Sequence, residues 1–133
     1  MKWEAGQPLL ALTKPAITRE QLRLYAAASG DSNPIHLDET FAKEAGFPSV
    51  IVHGMLSMAF LADHLQYNFP PDAYRVVKLR SRFRKVTFPG DVLSCEGRIR
   101  RVDAEGPLHV ALLTRNQRGE VTTEGEAEVV KLQ

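Results

Sequence analysis

Asp31-Ser-Asn-Pro-Ile-His36 carries a carboxylate, an amide and an imidazole on one short stretch of chain. A carboxylate and an imidazole so close can divide the work of a proton acceptor and a proton donor. The stretch follows Tyr25-Ala-Ala-Ala-Ser-Gly30, which begins as a helix. Gly30 is a natural helix stop and Asn33-Pro34 sets a bend, so Asp31 and His36 stand on either side of a tight polar turn. The same residues also serve as plain helix punctuation, with Asp31 or Ser32 capping and His36 merely a polar surface group. Spacing alone leaves both readings open.

The elements around this turn follow from local pattern. Pro8 to Thr13 is a short apolar run before Lys14-Pro15 and reads as a first strand. Thr18 with Gln21 three residues on starts a helix, whose narrow face is Leu22, Tyr25, Ala26 and Ser29. Asp38 caps a further short helix, Glu39 to Ala45, closed by Gly46. Met55 to Ala62 is apolar nearly all the way round, and such a helix must be enclosed by a sheet, a partner or both. Beyond Pro70-Pro71-Asp72 the pattern changes to strands: Tyr74–Phe88, Asp91–Val102, Leu108–Arg115 and Val121–Leu132. Pro89-Gly90, Glu105-Gly106-Pro107 and Asn116–Gly119 supply the turns, so the strands form an antiparallel sheet. Leu93, Cys95 and Ile99 share one face of their strand. Val121, Thr123, Ala127 and Val129 alternate with Thr122, Glu124, Glu126 and Glu128. A long helix followed by a meander able to curl round it is an α+β roll.

The chain has 133 residues, enough for one domain, 1–133, with a real core. It is 44% hydrophobic and 25% charged with a formal net charge of +1, which gives no reason to propose nucleic acid or an acidic membrane as partner. Cys95 is the single cysteine, so no intrachain disulfide forms, and a reducing, cytoplasmic setting is expected. The N-terminal residues lack the apolar run of a signal peptide, and Met55–Ala62 is too short to span a bilayer.

Three pieces together resemble a known family. Tyr25…Ser29-Gly-Asp-Ser-Asn-Pro-Ile-His36 followed by Ala42 is similar to the motif of the MaoC-like dehydratases, also called R-specific enoyl-CoA hydratases. His53-Gly54-Met55 matches the family's His-Gly-Met at the start of its central helix. Arg82-Phe83 through Pro89-Gly90-Asp91 matches its Arg-Phe strand, although Val86-Thr87 stands where members often read Pro-Val. The order holds from about Thr18 to the end of the chain.

That resemblance implies a hot-dog fold, a curved antiparallel sheet wrapped round the helix that begins near Gly54, and a homodimer whose sheets join edge to edge. It implies reversible addition of water to a trans-2-enoyl thioester, carried by coenzyme A or an acyl carrier protein, giving the (3R)-hydroxyacyl product. Asp31 and His36 would jointly be the catalytic pair, with Asn33 orienting them or simply forming the turn before Pro34. The Gly54 N–H, at the positive end of a helix, would hold the thioester oxygen, unless the glycine only permits close packing. No cofactor is implied, since coenzyme A belongs to the substrate.

His53 also invites a metal reading with His36, Asp38 and His64, but no pair has the short spacing of zinc ligands, and none is expected. His53 reads instead as a residue fixing the loop at the helix start. Ser57 could line an acyl tunnel, though bonding back to its own helix is the commoner fate of such a serine. Lys78, Arg80, Arg82 and Arg84 fall on one strand face and suit the phosphates of coenzyme A or an acidic carrier protein. Glu124, Glu126 and Glu128 form an acidic face that could consume them in ion pairs. A second class of function, an acyl-CoA-binding module without turnover or the non-catalytic half of a heterodimer, would need the tunnel but not Asp31 with His36. A thioesterase on the same fold is a weaker third.

Overall fold

Local signals set most helix boundaries in the computed structural model, which describes residues 2–133. Helix α1 (Arg19–Ser29) starts where the Thr18 hydroxyl accepts from the Gln21 N–H, and it stops at Gly30, whose φ of 79° is the left-handed conformation that ends helices. A single 3₁₀ turn, Pro34–His36, follows, with the Asn33 side chain accepting from the Ile35 N–H. Helix α2 (Glu39–Glu44) is capped by Asp38 through the Phe41 N–H. Helix α3 (Gly54–Asn68) is the long one, and Leu56, Phe60, Leu61 and Leu65 are its buried apolar side chains.

The five strands are β1 (Leu12–Thr13), β2 (Tyr74–Phe83), β3 (Ser94–Val102), β4 (Leu108–Arg115) and β5 (Val121–Lys131). They form one sheet in the order β1-β3-β4-β5-β2, antiparallel throughout. α3 lies against its inner face, where Cys95, Ile99, Val110, Leu112, Ala127 and Val129 complete the core. This is the α+β hot-dog architecture. Leu93, Cys95 and Ile99 are fully buried together, as their alternation predicts. At the other edge of the sheet β2 pairs with β5 alone, leaving the second edge of a ten-residue strand open.

Three expectations need correction. The first strand shrinks from six residues to Leu12–Thr13 with a bridge at Pro8. Its middle leaves the ladder because α3 claims it: Asn68 Oδ1 accepts from the Leu10 N–H at 2.8 Å, and Asn68 and His64 both donate to the Leu10 carbonyl. The Tyr74 strand ends at Phe83, five residues early, because the N–H groups of Arg84 and Lys85 both turn to the Thr122 carbonyl. β3 begins at Ser94, not Asp91; the Asp91 side chain instead accepts from the Phe88 N–H and closes the Pro89-Gly90 turn. Within one chain the sheet covers only part of α3, one of the arrangements its apolar run left open. The half-barrel covers one flank, and Met55, Ala59, Asp63 and Tyr67 make an exposed stripe on the other. Among the described residues no helix is long and apolar enough to cross a membrane.

Candidate active site

The polar turn and the start of α3 come together at one place. The Asp31 N–H donates to Ser29 Oγ, and Asp31 Oδ1 accepts from the Asn33 N–H, so the turn is held by its own side chains. Asn33 spends its carbonyl oxygen on the Ile35 N–H, which makes it a former of the turn that carries both Asp31 and His36. The His36 side chain is 11% exposed and its Nε2 lies 3.9 Å from Asp31 Oδ2, with the Asp31 side chain half exposed. His36 Nδ1 is 2.7 Å from the Ile51 carbonyl oxygen. A carbonyl only accepts, so Nδ1 carries a hydrogen and Nε2 is the ring atom left to exchange protons. At 3.9 Å the two groups do not bond directly. A water to one side of the line between them can donate to both.

His53, the residue before α3, is buried against this pair. Its ring stacks on His36, with centroids 3.9 Å apart and planes 22° apart, and Tyr25 meets it edge-on. Its Nε2–H donates to the Asp31 backbone carbonyl at 3.1 Å, while Nδ1 is buried without a partner. Burial pushes the His53 imidazole below its usual range; the hydrogen bond to Asp31 opposes this, and the neighbouring His36 adds to it. His53 is therefore a neutral ring tying both members of the pair to the start of α3.

Asp31, His36 and His53 place potential metal-ligand atoms within 4.8 Å of one another. Metal ligands must aim their lone pairs at one point, whereas two stacked rings only 22° apart run theirs side by side. The sequence grouping of His53 with Asp38 and His64 is not what the fold assembles: Asp38 caps α2 and His64 is bound to Leu10.

Gly54 opens α3. The N–H groups of Leu56 and Ser57 both go to the His53 carbonyl, and among the described residues nothing accepts from the N–H of Gly54 or Met55. These are the orphan donors of a helix start, at the positive end of its dipole. The absent side chain has a packing reason too. A Cβ at Gly54 would stand 2.9 Å from Phe83 Cε2 and 3.0 Å from Cζ. Phe83 thus roofs the helix start, a role its place in an Arg-Phe strand did not disclose.

A cleft of about 270 Å³ is lined by His36, Ile51, Gly54, Ser57, Phe83 and Thr123, among others. Arg84 and Lys85 stand at its open side. Lys85 is committed to Glu120 at 2.6 Å; this bond, with those from Asn116 and Arg118, holds the Glu120 carboxyl down to about 2. Arg84 has only a looser pair with Glu124 at 3.8 Å. The other three candidate cations, Lys78, Arg80 and Arg82, lie elsewhere. Ala127 and Val129 face the core, so Glu126 and Glu128 point to the outer face of the sheet, where Arg80 and Lys78 pair with them at 3.3 and 3.6 Å. Arg82 lies on the same strand, opposite Glu124 in the ladder, and makes no ion pair among the described residues.

The sequence model of the MaoC-like domain matches residues 2–115. The chain belongs to the MaoC-like domain family. An (R)-specific enoyl-CoA hydratase from Aeromonas caviae is 33% identical over 114 residues, 84% of this chain and 84% of that protein. The peroxisomal multifunctional enzyme type 2 of Mus musculus is 37% identical over 92 residues, 68% of this chain. This chain spans 12% of the mouse enzyme and 30% of a probable enoyl-CoA hydratase 2 from Dictyostelium discoideum, so it corresponds to a small part of those relatives. Among solved structures, the unliganded R-hydratase from Pseudomonas aeruginosa superimposes with a TM-score of 0.88 at 32% identity, over 98% of this chain and 83% of the other. Within this MaoC-like domain, His36 and the start of α3 line one cleft with Asp31 beside His36, and the tie from His53 to Asp31 was invisible in spacing because it joins residues on separate elements.

Proposed function

We propose that this protein adds water reversibly across the double bond of a trans-2-enoyl thioester, giving the (3R)-3-hydroxyacyl thioester. One juxtaposition carries the reading: His36 Nε2 and Asp31 Oδ2 stand 3.9 Å apart beside the unclaimed N–H groups that begin α3. A water held by the pair has its lone pair free to attack C3. As the C3–O bond forms, the π electrons move toward C2 and the thioester oxygen gains charge, which the Gly54 N–H stabilises. The pair takes one proton from the water and returns one to C2, and so ends as it began. No cofactor enters this scheme, and coenzyme A or a carrier protein arrives with the substrate. Arg84, at the cleft mouth, is the strand cation best placed for a phosphate of that carrier; Lys78, Arg80 and Arg82 would meet only a portion reaching the outer face.

The active form is a homodimer joined through the open edge of β2, where Val76 and Val77 are exposed apolar residues beside unpaired backbone. A cytoplasmic location agrees with the single, buried cysteine. Incubation with crotonyl-CoA and chiral analysis of the product tests the reaction. The expected product is (3R)-3-hydroxybutyryl-CoA. Formation of the (3S) alcohol, or binding of acyl-CoA without turnover of any enoyl thioester, would overturn it, the latter in favour of a binding module.

A further inference from the structure

Three hydroxyls on the cleft wall have no use in the hydration chemistry. Ser57, Thr87 and Thr123 all line the cleft, and they are 4%, 4% and 1% exposed. None of the three side chains hydrogen-bonds to any described residue. Two equally buried threonines nearby differ: Thr122 donates to the Thr114 carbonyl, and Thr114 contacts Cys95 Sγ. A helical serine commonly bonds back to the carbonyl four residues earlier. Ser57 does not, and the His53 carbonyl takes the N–H groups of Leu56 and Ser57 instead. None of the three oxygens is among the fully buried unpartnered atoms, so each opens on the cleft, and a ligand that covers it without bonding to it imposes the desolvation cost of that group.

The order of groups along the cleft indicates which part of a substrate would meet them. Arg84 and Lys85 are exposed and mark the mouth, where the carrier enters. Gly54 offers its N–H to the thioester oxygen. Ser57 is one helical turn further into the protein on the same face of α3 as Gly54, and Thr123 is the most buried of the cleft-lining hydroxyl residues. The inner wall therefore faces the acyl chain beyond the reacting carbons. A plain alkyl chain laid there covers the hydroxyls and satisfies none of them. The cleft's volume of about 270 Å³ accommodates an acyl chain of a few carbons.

We propose that the inner wall recognises an oxygen function on the acyl chain, making the preferred substrate a short enoyl thioester with a hydroxyl or carbonyl beyond its double bond. This rests on the hydratase reading above and adds the substrate class to it. Sites built to hydrogen-bond a substrate oxygen discriminate strongly against the analogue that lacks it.

The test compares trans-2-hexenoyl-CoA with 5-hydroxy-trans-2-hexenoyl-CoA. Wild-type kcat/KM should favour the hydroxylated substrate by about tenfold or more. Ser57→Ala and Thr123→Val should each bring that ratio toward one, chiefly by losing the hydroxylated substrate. Calorimetric binding of saturated hexanoyl-CoA and 5-hydroxyhexanoyl-CoA repeats the comparison without chemistry. A protein that hydrates neither substrate yet binds the hydroxylated thioester about tenfold more tightly keeps this inference and loses the hydratase reading. Equal kcat/KM for the two substrates keeps the hydratase reading and overturns this inference. So does a preference that survives both substitutions unchanged.

Discussion

The imidazole of His53 lies almost flat on that of His36, 3.9 Å away between centroids, and its Nε2–H is bonded to the backbone of Asp31. One neutral ring thereby touches both members of the proposed proton-transfer pair. His53→Phe keeps a stacked ring of similar size and removes the donor. Freed from that bond, Asp31 and the turn it shares with His36 shift relative to the start of α3, and small misplacements cost heavily in rate. The expected result is a kcat lowered by about tenfold to a hundredfold, with KM and Tm little changed. A parallel loss of kcat and Tm would reduce His53 to a packing residue.

Local chemistry made part of this fold legible and left the rest hidden. Thr18, Gly30 and Asp38 act within a few residues of themselves, and the helices they bound fall where the sequence places them. The apolar signal of α3 fades after Ala62, yet the helix continues to Asn68 because His64 and Asn68 find their partners on Leu10, more than fifty residues away in the chain. Those same bonds cut the first strand short. In the candidate site, Asp31, Asn33 and His36 share one contiguous motif and Gly54 lies in a second short one, so the sequence itself singles them out. Phe83 over Gly54, and the hydroxyls of Thr87 and Thr123 beside Ser57, depend on which strand faces which turn of α3.

Asp31→Asn and His36→Gln each keep approximate shape and remove a group that exchanges protons. If one water serves both, either change breaks the same circuit. Each single variant should lose at least about a hundredfold in kcat, and the double variant little more, because groups acting as a unit are not additive. Affinity for a non-reactive acyl-CoA should hardly move. Single variants that retain most of their turnover would show that the pair does not act together.

His64 gives the fold an acid-sensitive point away from the cleft. It is fully buried; that burial lowers its readiness to take a proton, while its bond to the Leu10 carbonyl partly opposes this. With the folded-state value below the unfolded one, the unfolded chain binds the extra proton. Stability is then fully present above the ordinary histidine range and is lost as pH falls below it, by at most about 1.4 kcal/mol per pH unit for one proton. His53 contributes in the same direction. His64→Gln retains an amide donor for Leu10 without the titration. Thermal melts at pH 8, 6 and 5 should show a shallower fall in Tm for this variant than for the wild type, and equal slopes would remove His64 from the account.

Gly54 packs under Phe83 and has an unclaimed N–H, and a pair of substitutions separates the two features. Ala at this position keeps the N–H but places a Cβ within 3 Å of the Phe83 ring, which must move aside. Pro adds the same bulk and also deletes the N–H. Backbone geometry tolerates Pro here: it is the first helical position, and His53 before it has φ −58° and ψ 130°, the extended conformation a residue before proline prefers. Both variants should fold, with Tm lowered to a similar extent by displacement of Phe83. Gly54→Ala then measures the cost of moving the ring. The further loss in Gly54→Pro measures the N–H, and if that group stabilises the thioester oxygen the additional fall in kcat is about a hundredfold or more. Equal kcat in the two variants would assign Gly54 to packing under Phe83 alone. The Met55 N–H, the other unclaimed donor of the first turn, would then be the remaining backbone group to hold the oxygen.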